Sequence, residues 1–359
     1  MLNAGVAGAA PLSASRPAAR RLLIVGFGSI GVRHVRVVRA LGAPVEVIVL
    51  SASGRGPDDG VDRRVASLDE ALSLGPLAAV IANPASHHLA AALPLARAGV
   101  HLLIEKPISV NSAGVTELLD TCRALGLTLM TGYNLRFLQS LQRFRQLLGE
   151  GVIGRVLSVR AECGQYLPTW RPQVDYRTTV SAQAALGGGV LLELSHEIDY
   201  LRWLFGEVEW VRADLARQSD LEIDVEDTAH LVLGFAGERR RAGVMATVSL
   251  DFVRRDATRT CLAIGEKGSL RWDAIRGTVE RCGEDGAWRQ MSAHAQQPDE
   301  SYAAEWRHFF DCIDRGVSPE VSGEDGLAVV RIIEAARRSA AGSGAVPVSA
   351  FESAAEPAV

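Results

Sequence analysis

Short apolar runs punctuate the first third of the chain, at 22–25 (LLIV), 45–50 (VEVIVL), 78–82 (AAVIA), 101–104 (HLLI) and 127–130 (LTLM). Each is too short for a core helix, and a continuous apolar run of this length predicts a strand buried on both faces. The stretches between them have helical period: in GVTELLDTCRAL, Val115, Leu118, Leu119, Cys122 and Leu125 fall on one face. Buried strands alternating with amphipathic helices predict a doubly wound parallel sheet. Beyond about residue 140 the period shortens to two. In VLSVRAEC, Leu157, Val159, Ala161 and Cys163 lie on one side, and Ser158, Arg160 and Glu162 on the other. TAHLVLGF and GVMATVSLDF alternate similarly, and GEKGSL has hairpin-turn chemistry. This half predicts a large, open, mostly antiparallel sheet with one covered face. Helical patterns lie at SHEIDYLRWLFG, before the later strands, and at YAAEWRHFFDCI and EDGLAVVRIIEAARRSA near the end.

The predicted organisation is an α/β chain in two domains. Residues 21–137 form an N-terminal Rossmann (dinucleotide-binding) domain, and 138–348 form an α/β domain for substrate binding and oligomerisation. Residues 1–20 and 349–359, rich in Ala, Ser and Pro, read as a disordered leader and a loose tail. The net charge of −4, with no basic block, argues against a nucleic-acid partner. No apolar run approaches the ~20 residues of a membrane span. Five scattered cysteines show neither CxxC nor zinc-like spacing, so no metal site is expected and a reducing cytoplasm is. The open sheet predicts a homodimer or homotetramer.

One compositional fact directs attention to chemistry. Of 38 basic residues only two, Lys106 and Lys267, are lysine. Lysine can be tuned to give and take a proton, whereas arginine cannot. Lys106 follows a predicted strand and precedes Pro107, which keeps it out of the helical region and projects it beyond the strand's end.

The first strand runs into Gly26-Phe27-Gly28-Ser29-Ile30-Gly31 and then a helix. A lone GxGxxG is weak evidence, but this context gives it meaning as a pyrophosphate cradle. About 20 residues on, where an acidic residue would hold an NAD ribose, stand Ser51, Ser53 and Arg55. Hydroxyls with an arginine suit a 2′-phosphate, so NADP(H) is favoured, with NAD(H) the alternative. Asn83, Pro84 and His88, then Glu105 and Lys106, then Asn134 follow later strands, on the side where ligands bind in such sheets. His87 and His88, opening a helix, also read as structural residues.

The second half contributes GGGVLLELSHEIDYLRWLFG. His196 and Asp199, three apart on a helix, share a face, and a neighbouring ammonium would lower the histidine's pKa. The loop 164–177 (GQYLPTWRPQVDYR) is long, aromatic and polar, which suggests a pocket wall or a subunit contact. Trp170 and Arg171 are candidates for the cofactor; Tyr166, Tyr176 and Arg136, with Lys106 and His196, are candidates for the substrate.

GFGSIG, ANPASHH, EKP, GYNLRF and GGG…SHEID occur in the order and spacing of the Gfo/Idh/MocA oxidoreductases, which the chain resembles over about residues 21–340. The resemblance implies an NAD(P)-dependent redox step on a sugar-type carbon. It assigns proton transfer to Lys106 and His196. Many members place an aspartate four residues before the histidine; here that position is Leu192, while Glu193 lies three before. Glu193 or Asp199 then completes the set. The YLPTWRP and SHEIDY segments look like members acting on sugars or nucleotide sugars of bacterial surface polysaccharides. An inositol-type cyclitol dehydrogenase is the alternative enzyme, and a non-catalytic NADP(H)-binding sensor or assembly subunit the alternative of another class. A short-chain dehydrogenase is disfavoured, since neither lysine has a tyrosine four residues before it.

Overall fold

The computed structural model describes residues 20–51, 54, 56–237, 243–295 and 297–348. The expected leader up to residue 19, the tail from 349, and both Ser53 and Arg55 lie outside the described residues. Among the described residues the chain forms two sheets. The first is parallel: β1 (Arg20–Val25), β2 (Val45–Leu50), β3 (Arg63–Val65), β4 (Ala78–Ile81), β5 (His101–Glu105) and β6 (Leu129–Gly132), in the order β3-β2-β1-β4-β5-β6. The direction of winding reverses between β1 and β4, which opens a crevice at their carboxyl ends. The short edge strand β3 (RRV) is not among the five apolar runs, because only its last residue is buried.

Helices cover both faces. Ile48, Ala79, Leu102 and Ile104 pack with α3 (His88–Arg97) and α4 (Val115–Ala124), while α2 (Leu68–Ser73) lies beside β3. Ile24, Val47, Val80 and Leu103 pack on the α1 (Ser29–Ala40) side. Leu125, expected on the buried face of α4, is its C-cap and is exposed.

The second half begins with α5 (Gln139–Gly149) and β7 (Val156–Gly164), then a run of short turns, then α6 (Val190–Glu193) and α7 (His196–Phe205). There follow β8 (Val208–Ala216), β9 (Thr228–Phe235), β10 (Met245–Asp251), β11 (Thr258–Gly265), β12 (Gly268–Asp273), β13 (Thr278–Cys282) and β14 (Trp288–Ala293). The chain closes with α8 (Glu300–Arg315), α9 (Gly323–Arg338) and β15 (Val346–Pro347). The sheet order is β14-β13-β12-β11-β7-β10-β9-β8-β15, antiparallel except for the parallel pair β7–β10. Glu266 and Lys267 make the two-residue turn between the paired Gly265 and Gly268, which places the second lysine in a hairpin. Alternation holds along β7 except at Leu157, which is exposed at the strand's start.

The last two helices return to the first domain. α8 lies against α1, and Trp306 donates from Nε1 to His34 Nδ1 at 3.0 Å. One side of α9 (Leu327, Val330) joins the core beneath α3 and α4, while Val329, Ile332 and Ile333 join the core of the second sheet. Gly323 and Gly326 make this seat fit: a Cβ at Gly323 would lie 2.6 Å from Leu119 and Leu129, and at Gly326 2.5 Å from Thr131 Oγ1. Ser322 caps α9 in a reciprocal box with Asp325.

Candidate active site

The glycine turn after β1 is shaped by the protein at two positions and by something else at the third. Gly26 has φ 91°, and a Cβ there would meet Asn83 N at 2.5 Å; one at Gly31 would lie 2.1 Å from Gly26 O. At Gly28 a Cβ would meet no protein atom within 4 Å. Its lack of a side chain keeps open the N-terminus of α1, which has no side-chain cap and no acid in its first turn. Unpaired N–H groups and the positive end of the helix dipole fit a pyrophosphate there. Ser29 and Ile30 border this opening. Phe27 instead packs inward, with the Arg64 guanidinium 5.2 Å over its ring and Gly56 pressed against it. Of the carboxylates near the end of β2, Glu46 pairs with Arg21 and Arg63, Asp58 with Arg64, and Asp62 with Arg39. Asn83 and Pro84, at the end of β4, face the same crevice from the other side of the glycine turn. Asn83 Oδ1 has no partner among the described residues.

Lys106 stands just past β5, joined to Pro107 by a cis peptide bond. Its Nζ donates to the main-chain carbonyl of Glu193 at 2.8 Å, across the interface between the two halves. Glu105 backs it from inside. Trp306 can only donate, so His34 Nδ1 accepts and Nε2 carries the hydrogen bonded to Glu105 Oε1 at 2.8 Å. Burial alone would raise the Glu105 pKa, but His34 and the Lys106 charge outweigh it and hold the carboxyl below its usual range. Both Glu105 oxygens face the protein, Oε2 accepting from Lys106 N. Glu105 therefore positions Lys106, and both of its carboxylate oxygens are engaged within the protein rather than turned to the crevice.

His88 is engaged within the protein in the same way. It is buried, with Nδ1 2.9 Å from Pro107 O and Nε2 2.9 Å from Asn83 O, so it ties the ends of β4 and β5 together. Carbonyls only accept, so both bonds need a doubly protonated ring, while burial lowers the His88 pKa. The neutral ring serves one carbonyl at a time.

His196 opens α7 after a break in the helix at Leu194 and Ser195. It is nearly buried, its ring edge-on to Tyr133 at 5.5 Å, and Nδ1 has no partner among the described residues. Burial, then the charges of Lys106 and Arg259, pull its pKa well below the ordinary histidine value, so the ring is neutral at neutral pH. Lys106 and His196 open onto one cavity of about 450 Å³, lined also by Asn134, Gln165, Trp170, Glu193, Arg259 and Ser301. Asn134 is held there by its Nδ2 bond to Ser301 Oγ at 2.8 Å. A larger open groove of about 820 Å³, lined by Arg136, Trp203 and His308, contains neither Lys106 nor His196.

Two expected site residues are removed from the cavity. Asp199 lies one turn along α7 but is locked to Arg136, with Oδ1 2.6 Å from Nη2 and Oδ2 3.0 Å from Nε. Arg136, 3% exposed, also donates to Glu320 O and lies 3.3 Å from Asp325. Burial pushes the Asp199 carboxyl up to about 6 against the pull of Arg136. The pair fastens α7 to the segment after β6. Neither side chain lines the cavity that holds Lys106 and His196. In the 164–177 loop Gly164, Gln165 and Trp170 reach the cavity; Arg171 and Tyr176 line a shallow crevice behind it, and Tyr166 stacks with Arg255 at 3.6 Å. Asp175 and Arg177 pair with each other.

Arg259, Glu197 and Ser301 were missed from sequence. Arg259 was legible: Arg259, Cys261 and Ala263 form the covered row of β11, where an apolar residue belongs. Glu197 is fully buried and accepts from Arg259 Nε at 2.9 Å; burial raises its pKa, opposed by that arginine. Ser301 carried no signal, since α8 is remote in sequence.

A family model described as "Oxidoreductase family, NAD-binding Rossmann fold" matches residues 20–133, and its companion, "Oxidoreductase family, C-terminal alpha/beta domain", matches 145–348. Myo-inositol 2-dehydrogenase of Thermotoga maritima is 27% identical over 341 residues, 89% of this chain and 96% of the relative. Levoglucosan dehydrogenase in complex with NADH superposes with a TM-score of 0.80 at 23% identity, covering 92% of this chain and 99% of the other. The WlbA dehydrogenase from Bordetella pertussis, in complex with NADH and UDP-GlcNAcA, gives 0.75 at 23% identity over 92% and 98%. The chain belongs to the Gfo/Idh/MocA family of NAD-binding oxidoreductases and is an enzyme of that class.

Proposed function

We propose that the protein is an NAD(P)-dependent dehydrogenase or reductase acting on a CH–OH carbon of a sugar, amino sugar or sugar nucleotide. The observation that carries this reading is the meeting of Lys106, delivered by the first domain, and His196, delivered by the second, in a cavity at the cofactor crevice. The bound nicotinamide supplies hydride transfer. Lys106 keeps one hydrogen on the Glu193 carbonyl and turns the others toward the reacting oxygen, fixing its position as charge develops. His196, neutral and nearly dehydrated, takes the hydroxyl proton in oxidation and returns it in reduction. Glu193, which lines the cavity, is the carboxylate of the set, since Asp199 is consumed by Arg136. Trp170 supplies an apolar wall for a ring face.

NADP(H) is the preferred cofactor in this reading, supported by Ser51, Ser53 and Arg55 in the sequence after β2. The relatives named myo-inositol 2-dehydrogenase and levoglucosan dehydrogenase support a polyhydroxylated substrate. Copies associate as a dimer or tetramer through the open sheet face, where Val232, Met245, Leu262 and Ile264 lie on the uncovered rows. No helix among the described residues is long and apolar enough to cross a membrane. The five cysteines are unpaired, in keeping with the cytoplasm. A screen of sugars, cyclitols and sugar nucleotides with NAD and NADP, following reduced-nicotinamide absorbance, tests the reading. Turnover of a sugar class with a lower KM for NADP supports it. Turnover of cyclitols alone selects the inositol-type alternative, and cofactor binding without any turnover selects the sensor.

A further inference from the structure

β11 places a cation where the fold calls for an apolar side chain. On the covered side its residues pair across to β7 as Arg259 with Cys163, Cys261 with Ala161 and Ala263 with Val159. Every partner in that row is buried. Arg259 is met there by Glu197, which has no exposed surface and sits next to His196 on α7. A buried ion pair is weak evidence of stabilisation, because apolar residues of similar volume commonly do as well. Its place beside the proton-transfer residues points to another use.

The pair is asymmetric. Glu197 takes Nε at 2.9 Å and approaches Nη2 at 3.5 Å. The guanidinium also reaches the Cys163 thiol, and 23% of the Arg259 side chain remains open, at the cavity that holds Lys106 and His196. Glu197 itself lies behind the guanidinium and does not line the cavity. Besides neutral His196 and the Cys163 thiol, which burial keeps protonated, the ionisable residues at the cavity are Lys106, Arg259 and Glu193, which sum to one positive charge. An oriented guanidinium edge suits a carboxylate, which it can bind in a planar fork.

We propose that Arg259, held by Glu197, receives a carboxylate at the reacting end of the substrate, so that the enzyme acts on acidic sugars of the uronic or aldonic class. This rests on the oxidoreductase reading above and narrows it. Arg259 is the residue that reads the charge; Glu197 is a positioning residue that fixes which edge faces the cavity.

The test compares uronic acids with their neutral parent hexoses on the full-length protein loaded with cofactor. Turnover is read from the nicotinamide, and binding from calorimetry. The wild type is expected to favour the acid. In Arg259→Met the ratio of acid to neutral kcat/KM falls about 10- to 100-fold, the size of a lost charge-assisted bond, carried mainly by KM. Because that variant leaves Glu197 buried and unpaired, Glu197→Gln/Arg259→Met is measured beside it and shows the same fall in ratio. Equal use of acid and parent by the wild type, or an unchanged ratio in both variants, overturns the inference while leaving the sugar oxidoreductase reading intact. Arg259-dependent binding of the acid without turnover of any sugar overturns that reading and supports only the carboxylate contact at Arg259. Neither binding nor turnover overturns both.

Discussion

Replacing Asp199 with alanine separates two roles that the sequence left open. In the structure the carboxylate and Arg136 are both nearly inaccessible, at 1% and 3% exposure, and share two short hydrogen bonds. Removing one member of such a pair leaves an uncompensated buried charge and costs about 3–5 kcal/mol. Arg136 would keep Glu320 O at 2.9 Å and Asp325 at 3.3 Å, so the lower end, about 3 kcal/mol, is expected. At about 2–4 °C per kcal/mol for domains of 150–250 residues, Asp199→Ala should melt roughly 6–12 °C below the wild type. Arg136→Met/Asp199→Leu, which removes both charges, should melt above either single variant. Thermal unfolding by circular dichroism measures this, with kcat taken at a temperature where all variants are folded. The expected kcat loss is modest, because α7 keeps His196 in place below the melting transition. An unchanged melting temperature with a thousandfold drop in kcat would refute the reasoning and return Asp199 to the proton-transfer set.

Two further predictions follow from single positions. Gly28→Val should fold with near wild-type stability, since its Cβ meets nothing, yet lose nicotinamide-dinucleotide binding in calorimetry; Gly31→Ala should be destabilised, since its Cβ would strike Gly26 O. Glu305, fully buried on α8 with both carboxyl oxygens unpartnered among the described residues, has a pKa raised well above the ordinary value by burial and then by Glu105. A carboxyl raised in the folded state keeps its proton after the unfolded chain has lost it. Stability is therefore lost as pH rises from the unfolded value, about 4.5, toward the folded one. Glu305→Gln does not titrate, so its stability relative to the wild type should grow by up to about 1.4 kcal/mol per pH unit across that window. A pH-independent difference in denaturant melts would show that Glu305 does not hold the proton.

What the sequence revealed depended on the range of the interaction. Buried parallel strands announce themselves as unbroken apolar runs, so β1, β2, β4, β5 and β6 were legible, and with them the placement of Lys106. β3, with two arginines in three residues, has no such signature. Periodicity showed that α8 and α9 have buried faces but not against what, so their return to the first sheet was hidden. Residue spacing put His196 and Asp199 on one helix face; that Arg136, sixty-three positions away, captures the aspartate is a tertiary fact. Glu193 was weighed for its carboxylate, while the structure first uses its carbonyl, a contribution no side-chain reading anticipates. Arg259 shows the reverse case, a break in alternation that was legible and passed over.

The most direct test of the central claim is Lys106→Met on the best substrate from the screen, with nicotinamide binding measured in parallel. The variant removes the group that bridges to Glu193 O and, in the proposed mechanism, faces the reacting oxygen, while Gly26, Gly28 and Gly31 are untouched. Turnover is expected to fall about 10²- to 10³-fold, the range for a lost hydrogen-bond donor to an oxygen on which charge develops, with cofactor affinity within a few-fold of the wild type. Undiminished turnover would contradict the account.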